Sequence, residues 1–200
     1  MWELDHIAVA CSDLDAGTEW VERALGVPLI AGGTHARFGT HNRLLGLAGG
    51  IYLEVIAPDP KADTNESWFG LANFGGPPRM GNWIVRVPDL DAALAIHPVA
   101  GRAVAMERGA LKWQIAVPPD GSLPADGGFP TLITWGAGIT PPGATLPASG
   151  CTLTGLTILH PDAARPAAIP LNDARIRFET AAAPGLRANF DTPSGPATLT

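Results

Sequence analysis

Residues 4–10 form an apolar, partly β-branched run that reads as a buried strand. It leads into Cys11-Ser12-Asp13-Leu14-Asp15, where Ser12 and Asp15 stand at capping-box spacing and acidic charge falls in a first helical turn. Ala16, Trp20 and Ala24 then recur at i+4 beside Val21 and Leu25, which predicts one apolar helix face, and Gly26 stops the helix. Strands are expected at residues 27–31, 42–47 and 51–57, separated by Gly32-Gly33 and Gly49-Gly50, so the order is β-α-β-β-β. Residues 58–81 are rich in Pro, Gly, Asn and Asp and have no period, which predicts a linker or long loop. Its Trp68, Phe69, Leu71 and Phe74 imply that it packs on something.

The pattern then restarts. Residues 82–87 read as a strand, and residues 88–93 open a helix that Pro98 ends. Asp89-Leu90-Asp91-Ala92 repeats Asp13-Leu14-Asp15-Ala16, and strands at 102–106, 111–117 and 131–135 complete a second set around a Gly/Pro loop at 118–130. One shared tetrapeptide is also a generic helix start; the same element order around both copies predicts internal duplication. A third start at 153–159 runs into His160-Pro161-Asp162, where Pro166 and Pro170 leave little room for a helix. Strands at 174–180, 186–191 and 197–199 close it as a truncated unit that replaces or extends an edge of the first sheet. The expected class is α+β. Module one (1–58), a linker (59–81) and module two (82–136) share a domain over residues 1–148, and residues 149–200 pack on it as a β-rich third module.

Composition narrows the function classes. The chain has 200 residues, and its Gly 24 and Pro 20 suit many short elements better than a helix bundle. Thirteen basic and 19 acidic residues give a net charge of −6, without a Lys/Arg cluster of the kind nucleic acid requires. No apolar run approaches the roughly 20 residues that span a bilayer. Met1 to His6 lacks the basic and apolar regions of a signal peptide. Cys11 and Cys151 are far apart and form no disulfide framework, so a cytoplasmic protein is expected.

Three segments carry a resemblance: Leu4-Asp5-His6-Ile7-Ala8-Val9 with Ser12-Asp13-Leu14-Asp15, then Gly39-Thr40-His41-Asn42-Arg43-Leu44, then Tyr52-Leu53-Glu54-Val55-Ile56-Ala57-Pro58. Together they resemble the vicinal-oxygen-chelate superfamily, specifically a glyoxalase-like domain, and residues 82–92 and 129–135 match more loosely. The resemblance implies paired βαβββ modules forming an open curved mixed sheet around a cleft. Many members hold a divalent metal there, through one residue on the first and one on the last strand of each module, and the metal grips two neighbouring substrate oxygens. Others, of bleomycin-resistance type, bind a small molecule and do no chemistry, so the fold alone does not name a reaction.

Period two places His6 on a face with Leu4, Ala8 and Ala10, and Glu54 on a face with Tyr52 and Ile56. With Ile7/Val9 and Leu53/Val55 against the helices, His6 and Glu54 both enter the cleft. They are half of a site suited to Zn²⁺, Mn²⁺, Fe²⁺ or Ni²⁺. The same residues also read as a buried histidine bonded to Glu54, or as Glu54 bonded to Arg43, without metal. The second module places Asn82 where His6 stands and Ile133 or Thr134 where Glu54 stands, so the metal site is incomplete. Asn42, Arg43, Asn82, Arg86 and Gln114 are candidate substrate-binding groups. Arg86 suits an anion, although both arginines read equally as solvated strand ends. Trp83, Trp113 and Trp135 are expected in the core, His35, His97 and His160 at the surface. Cys11 is expected as a small buried hydrophobe, although it precedes a helix N-terminus.

Two functions follow. In one, Glu54 takes a proton from a carbon next to a carbonyl while His6 stabilises the enediolate, as a lyase or isomerase on a small oxygen-rich molecule. In the other, the cleft binds or sequesters a small molecule. The third module pairs within the chain or across a homodimer interface.

Overall fold

The two Asp-Leu-Asp-Ala segments make one and the same local structure. In the computed structural model, which describes residues 1–162 and 169–200, Asp13 and Asp89 cap helices α1 (Leu14–Leu25) and α2 (Leu90–Ile96). Each carboxylate accepts a hydrogen bond from the backbone N–H three residues on, at Ala16 and Ala92. Asp13 thus takes the role expected of Ser12, because it is the residue whose side chain reaches the free N–H of the third helical residue. Gly26 closes α1 in the left-handed conformation at φ 71°, its N–H returning to the Glu22 carbonyl. The buried face of α1 is Gly17, Thr18, Val21 and Leu25; Ala16 and Ala24 face solvent. Bulkier Val21 and Leu25 gain more from burial than the alanine row does. Pro166 lies outside the described residues.

Strands β1 (Glu3–Ala10), β2 (Ile30–His35), β3 (Thr40–Leu47) and β4 (Ile51–Pro58) belong to module one. Module two contributes β5 (Arg79–Arg86), β6 (Arg102–Arg108), β7 (Leu111–Val117) and β8 (Thr131–Trp135). All eight make one mixed sheet in the order β2-β3-β4-β1-β5-β8-β7-β6. Within each module the first and last strands run parallel, β1 beside β4 and β5 beside β8. The modules join where β1 and β5 pair antiparallel. The sheet curls until its edges, β2 and β6, approach each other. None of the described helices is long and apolar enough to cross a membrane.

The convex face carries the helices and a second layer. Strands β9 (Thr152–His160), β10 (Ile176–Thr180), β11 (Gly185–Thr192) and β12 (Gly195–Leu199) form a separate four-stranded sheet in the order β10-β9-β11-β12. It does not replace or extend an edge of the large sheet. Its Leu153, Leu156, Ile158, Leu186 and Phe190 are buried with Ile7, Val9, Trp83 and Val85 from behind β1 and β5, because one face of this meander is apolar and needs a partner layer. The concave face holds a second cluster, in which Trp68, Phe69 and Leu71 of the linker lie on Ile56, Ile84, Ile115 and Ile133.

One irregularity governs the site. Along β1, Leu4 pairs with Val85 and His6 with Ile84, so Asp5 is an extra residue, a β-bulge. Strict alternation put Leu4 and His6 on one face. The bulge instead sends Leu4 into the convex core with Ile7 and Val9, while Asp5 and His6 turn together to the concave side.

Gly17 sets how closely α1 approaches the sheet, since a Cβ there would stand 2.4 Å from Cys11 Sγ and 2.9 Å from Val55 Cγ1. Helix propensity alone predicts that Gly17→Ala stabilises by about 1 kcal/mol. Packing predicts a net loss of about 1–3 kcal/mol, read as a lower urea midpoint at unchanged m-value.

Candidate functional site

Four polar side chains meet on the concave face, from β1, β3 and β4. His6 Nδ1 lies 2.7 Å from Asp5 Oδ1, and Asp5 Oδ2 accepts the indole N–H of Trp135 at 2.9 Å. A carboxylate can only accept, so the Nδ1 proton belongs to His6, and Nε2 is left to face Glu54 Oε2 at 3.7 Å. Glu54 Oε1 accepts from Asn42 Nδ2, and Asn42 Oδ1 accepts the Gly33 N–H at 2.7 Å. The His6 ring stacks on Tyr52 at 4.3 Å. Burial first, then Asp5 and Glu54, push the Tyr52 hydroxyl well above its ordinary pKa, so it stays neutral. The space these groups enclose is about 30 Å³, room for one water. Its walls include Trp68, Trp113, Trp135 and Arg108.

Sequence reasoning missed several of these residues. His35 was expected at the surface, yet it is buried at the end of β2 and lines the cavity. Its Nδ1 is 3.0 Å from the Thr40 hydroxyl, which also accepts the Trp68 indole N–H at 3.1 Å. Burial pushes its pKa down to about 4, the nearby Glu54 opposing and Arg108 reinforcing the shift. The error came from Gly32-Gly33, read as a break between strands. Both glycines lie inside β2, where a Cβ on Gly32 would collide with Asn42 Oδ1. Trp113 is buried in the concave core cluster with Trp135 packed against it, as expected, and both also line the cavity, their rings 5.6 Å apart. Trp83 alone of the three is in the convex core.

Of the expected binding groups, Asn42, Asn82 and Arg86 stand on the concave side. Arg43 cannot, because neighbours on a strand face opposite ways; it points to α1 and pairs with Asp15 at 3.3 Å. Arg86 donates from Nε to Glu3 at 2.7 Å, and its Nη1 lies 4.0 Å from Asp5 Oδ2. Gln114 is exposed on the outer face, since Trp113 and Ile115 take the inner one. His97 is half-buried against the Trp2 ring, and His160 is half-buried and accepts the Asp162 N–H. Burial pushes the Cys11 thiol up to about 12, so it behaves as the small buried group expected.

Strand pairing corrects the register of the second module. Ala8 pairs with Glu54 in module one, and its counterpart Ile84 pairs with Thr131. Thr131, not Ile133 or Thr134, therefore stands where Glu54 stands. Asn82 donates to the Thr131 hydroxyl at 2.9 Å, and Asn82 Oδ1 accepts the Trp83 N–H at 2.8 Å. The module-two pair is neutral and satisfied within the protein. Among the described residues no group of three or more His, Cys, Asp or Glu is placed to hold a metal ion. A four-ligand divalent site does not fit this donor set.

Buried neutral His35 links stability to pH. The unfolded chain takes up a proton near pH 6.5 and the folded chain only near 4, so its contribution is complete above pH 6.5 and is lost as pH falls toward 4. His35→Asn should flatten the stability profile in that window by roughly 2–3 kcal/mol relative to wild type, measured by urea titration at each pH.

A hypothetical protein from Staphylococcus aureus is similar in fold, with 16% identity, coverage of 92% of this chain and 88% of that one, and a TM-score of 0.64. Methylmalonyl-CoA epimerase from Mycobacterium tuberculosis is 26% identical over 66% of this chain and 85% of that one, with a TM-score of 0.44. A methylmalonyl-CoA epimerase in complex with methylmalonyl-CoA and NH4+ is 19% identical over 69% of this chain and 96% of that one, with a TM-score of 0.45. No curated protein matches the sequence. The family model described as a glyoxalase-like domain matches residues 4–170, and with two βαβββ modules sharing one curled sheet, the chain belongs to the glyoxalase-like domain family of the vicinal-oxygen-chelate superfamily.

Proposed function

We propose that the protein moves a proton at a carbon next to a carbonyl in a small oxygen-rich molecule bound on the concave face, as a lyase or isomerase. The observation that carries this reading is His6 Nε2 facing Glu54 Oε2 at 3.7 Å, both buried, with Asp5 fixing the imidazole from behind. Asn42 holds Oε1 of Glu54, which leaves Oε2 to take the proton. In its doubly protonated form His6 keeps the Nδ1 proton on Asp5 and donates from Nε2 to the oxygen on which charge develops. Return of the proton to carbon completes an isomerisation; loss of a neighbouring group completes an elimination. In this reading residues 1–148 carry the whole cleft as one internally duplicated domain, and residues 149–200 support it from behind.

A metal-free binding protein is the second reading, and it is favoured by the closed Asn82–Thr131 pair. Proton exchange separates the two. Small 2-oxo, 3-oxo and 2-hydroxy compounds incubated with the protein in D₂O are expected to lose the signal of the proton next to the carbonyl or carboxyl, followed by NMR. Glu54→Gln should slow that exchange about 10²–10⁴-fold. Asp5→Asn, which keeps the shape but weakens the hold on His6, should slow it less. Binding without exchange contradicts the enzymatic reading. Adding Zn²⁺, Mn²⁺ or Ni²⁺, or EDTA, should change neither the rate nor the Tm, because ligands of the native state must stabilise it.

A further inference from the structure

Arg108 is the one Lys or Arg among the described residues that line the cavity, and no described carboxylate lies within ion-pair distance of it. It ends β6, an edge strand, and reaches across the mouth of the curled sheet to the opposite edge. Gly33 on β2 makes that reach possible: a Cβ there would stand 2.7 Å from Arg108 Cδ and 3.0 Å from Nη1. The carboxylates on this face are Asp5, whose Oδ2 lies 4.0 Å from Arg86 Nη1, and Glu54. Neither is within ion-pair distance of the Arg108 guanidinium, whose bond within the protein is a long one, 3.5 Å from Nη1 to Asn42 Oδ1. This half-buried guanidinium makes one long bond to the described residues, and its remaining N–H groups are open to solvent and to a ligand.

We propose that Arg108 recognises the charge of an anionic substrate, a small carboxylic acid whose carboxylate accepts two parallel N–H bonds from the guanidinium. This rests on the proton-transfer reading above and adds the substrate class to it. Three features support it. A planar guanidinium matches a carboxylate bidentately. A cavity that already contains two carboxylates repels a third unless a cation meets it. Asn42 joins the two ends of the site, accepting from Arg108 at one atom and donating to Glu54 at the other. One side-chain amide therefore separates the anion site from the base. The ligand must carry its carboxylate within a few bonds of its acidic C–H, as 2-oxo, 3-oxo and 2-hydroxy acids do.

The test uses matched probes, small carboxylates of three to six carbons and their neutral amides, with pyruvate and pyruvamide or lactate and lactamide as the smallest pairs. Titration is followed by calorimetry and by tryptophan fluorescence, which Trp68, Trp113 and Trp135 report from the cavity wall. At least one carboxylate is expected to bind ten-fold or more tightly than its amide. Arg108→Gln should abolish that preference, leaving amide binding unchanged. Arg108→Lys, which keeps charge and loses the fork, should retain part of it. Glu54→Gln should keep the preference. Equal binding of acid and amide, a preference that survives Arg108→Gln, or no binding by any carboxylate of the series overturns the proposal. Deuterium exchange that runs equally well on neutral amides and in Arg108→Gln overturns it while the proton-transfer reading stands. Carboxylate binding through Arg108 without exchange overturns the catalytic reading and leaves the anion site in place.

Discussion

An imidazole buried between two carboxylates is tolerated only when every polar atom around it is met, and the concave face is organised by that requirement. Asp5 and His6 are consecutive in sequence, and a regular strand would have set them on opposite faces. The bulge in β1 turns both inward. Asp5 is then satisfied by His6 and by the Trp135 indole from module two, and Glu54 by Asn42 from the neighbouring strand. Each partner comes from a different strand, so the network ties β1, β3, β4 and β8 together at one point. Removing any one member leaves another buried group unpaired, a situation that costs roughly 3–5 kcal/mol for a buried charge.

The asymmetry of the two modules follows from the same rule. Module one presents His6 and Glu54, whose facing atoms remain available. Module two presents Asn82 and Thr131, which complete each other and turn the remaining amide oxygen back to the Trp83 N–H. The family scaffold is thus retained on both sides of the β1–β5 seam, while the facing imidazole and carboxylate stand on one side only. What module two contributes is enclosure: Trp113, Trp135 and Arg108 wall the cavity. The linker adds Trp68, stacked between Phe38 and Phe69 at 4.4 and 4.5 Å, to seal it.

The element order, both helix starts and the inward turn of His6 and Glu54 were legible from periodicity, because helix caps and strand alternation are local. The linker's aromatic residues likewise declared that it packs. What escaped was set by long-range contact. Asp5 was invisible because a bulge is a property of pairing with β5, not of the β1 sequence. Gly32-Gly33 read as a break because nothing local shows that Asn42 and Arg108 press against them. His35 followed that error out to the surface. Arg43 was offered to the cleft beside Asn42, although alternation allows only one of that pair, and Gln114 was given the inner face that Trp113 and Ile115 take. The position taken by Thr131 was misplaced by two or three residues, at Ile133 or Thr134, until the parallel pairing of β5 and β8 fixed the register.

The central claim is that Asp5, brought inward by the bulge, fixes the proton of His6 on Nδ1 and points Nε2 at Glu54. Nitrogen-15 NMR of histidine-labelled protein reads this directly. A protonated, strongly hydrogen-bonded Nδ1 is expected for His6 at neutral pH, with that hydrogen bond weakened in Asp5→Asn and retained in Glu54→Gln. A neutral His6 protonated only at Nε2, or an Nδ1 signal indifferent to Asp5→Asn, would contradict the account.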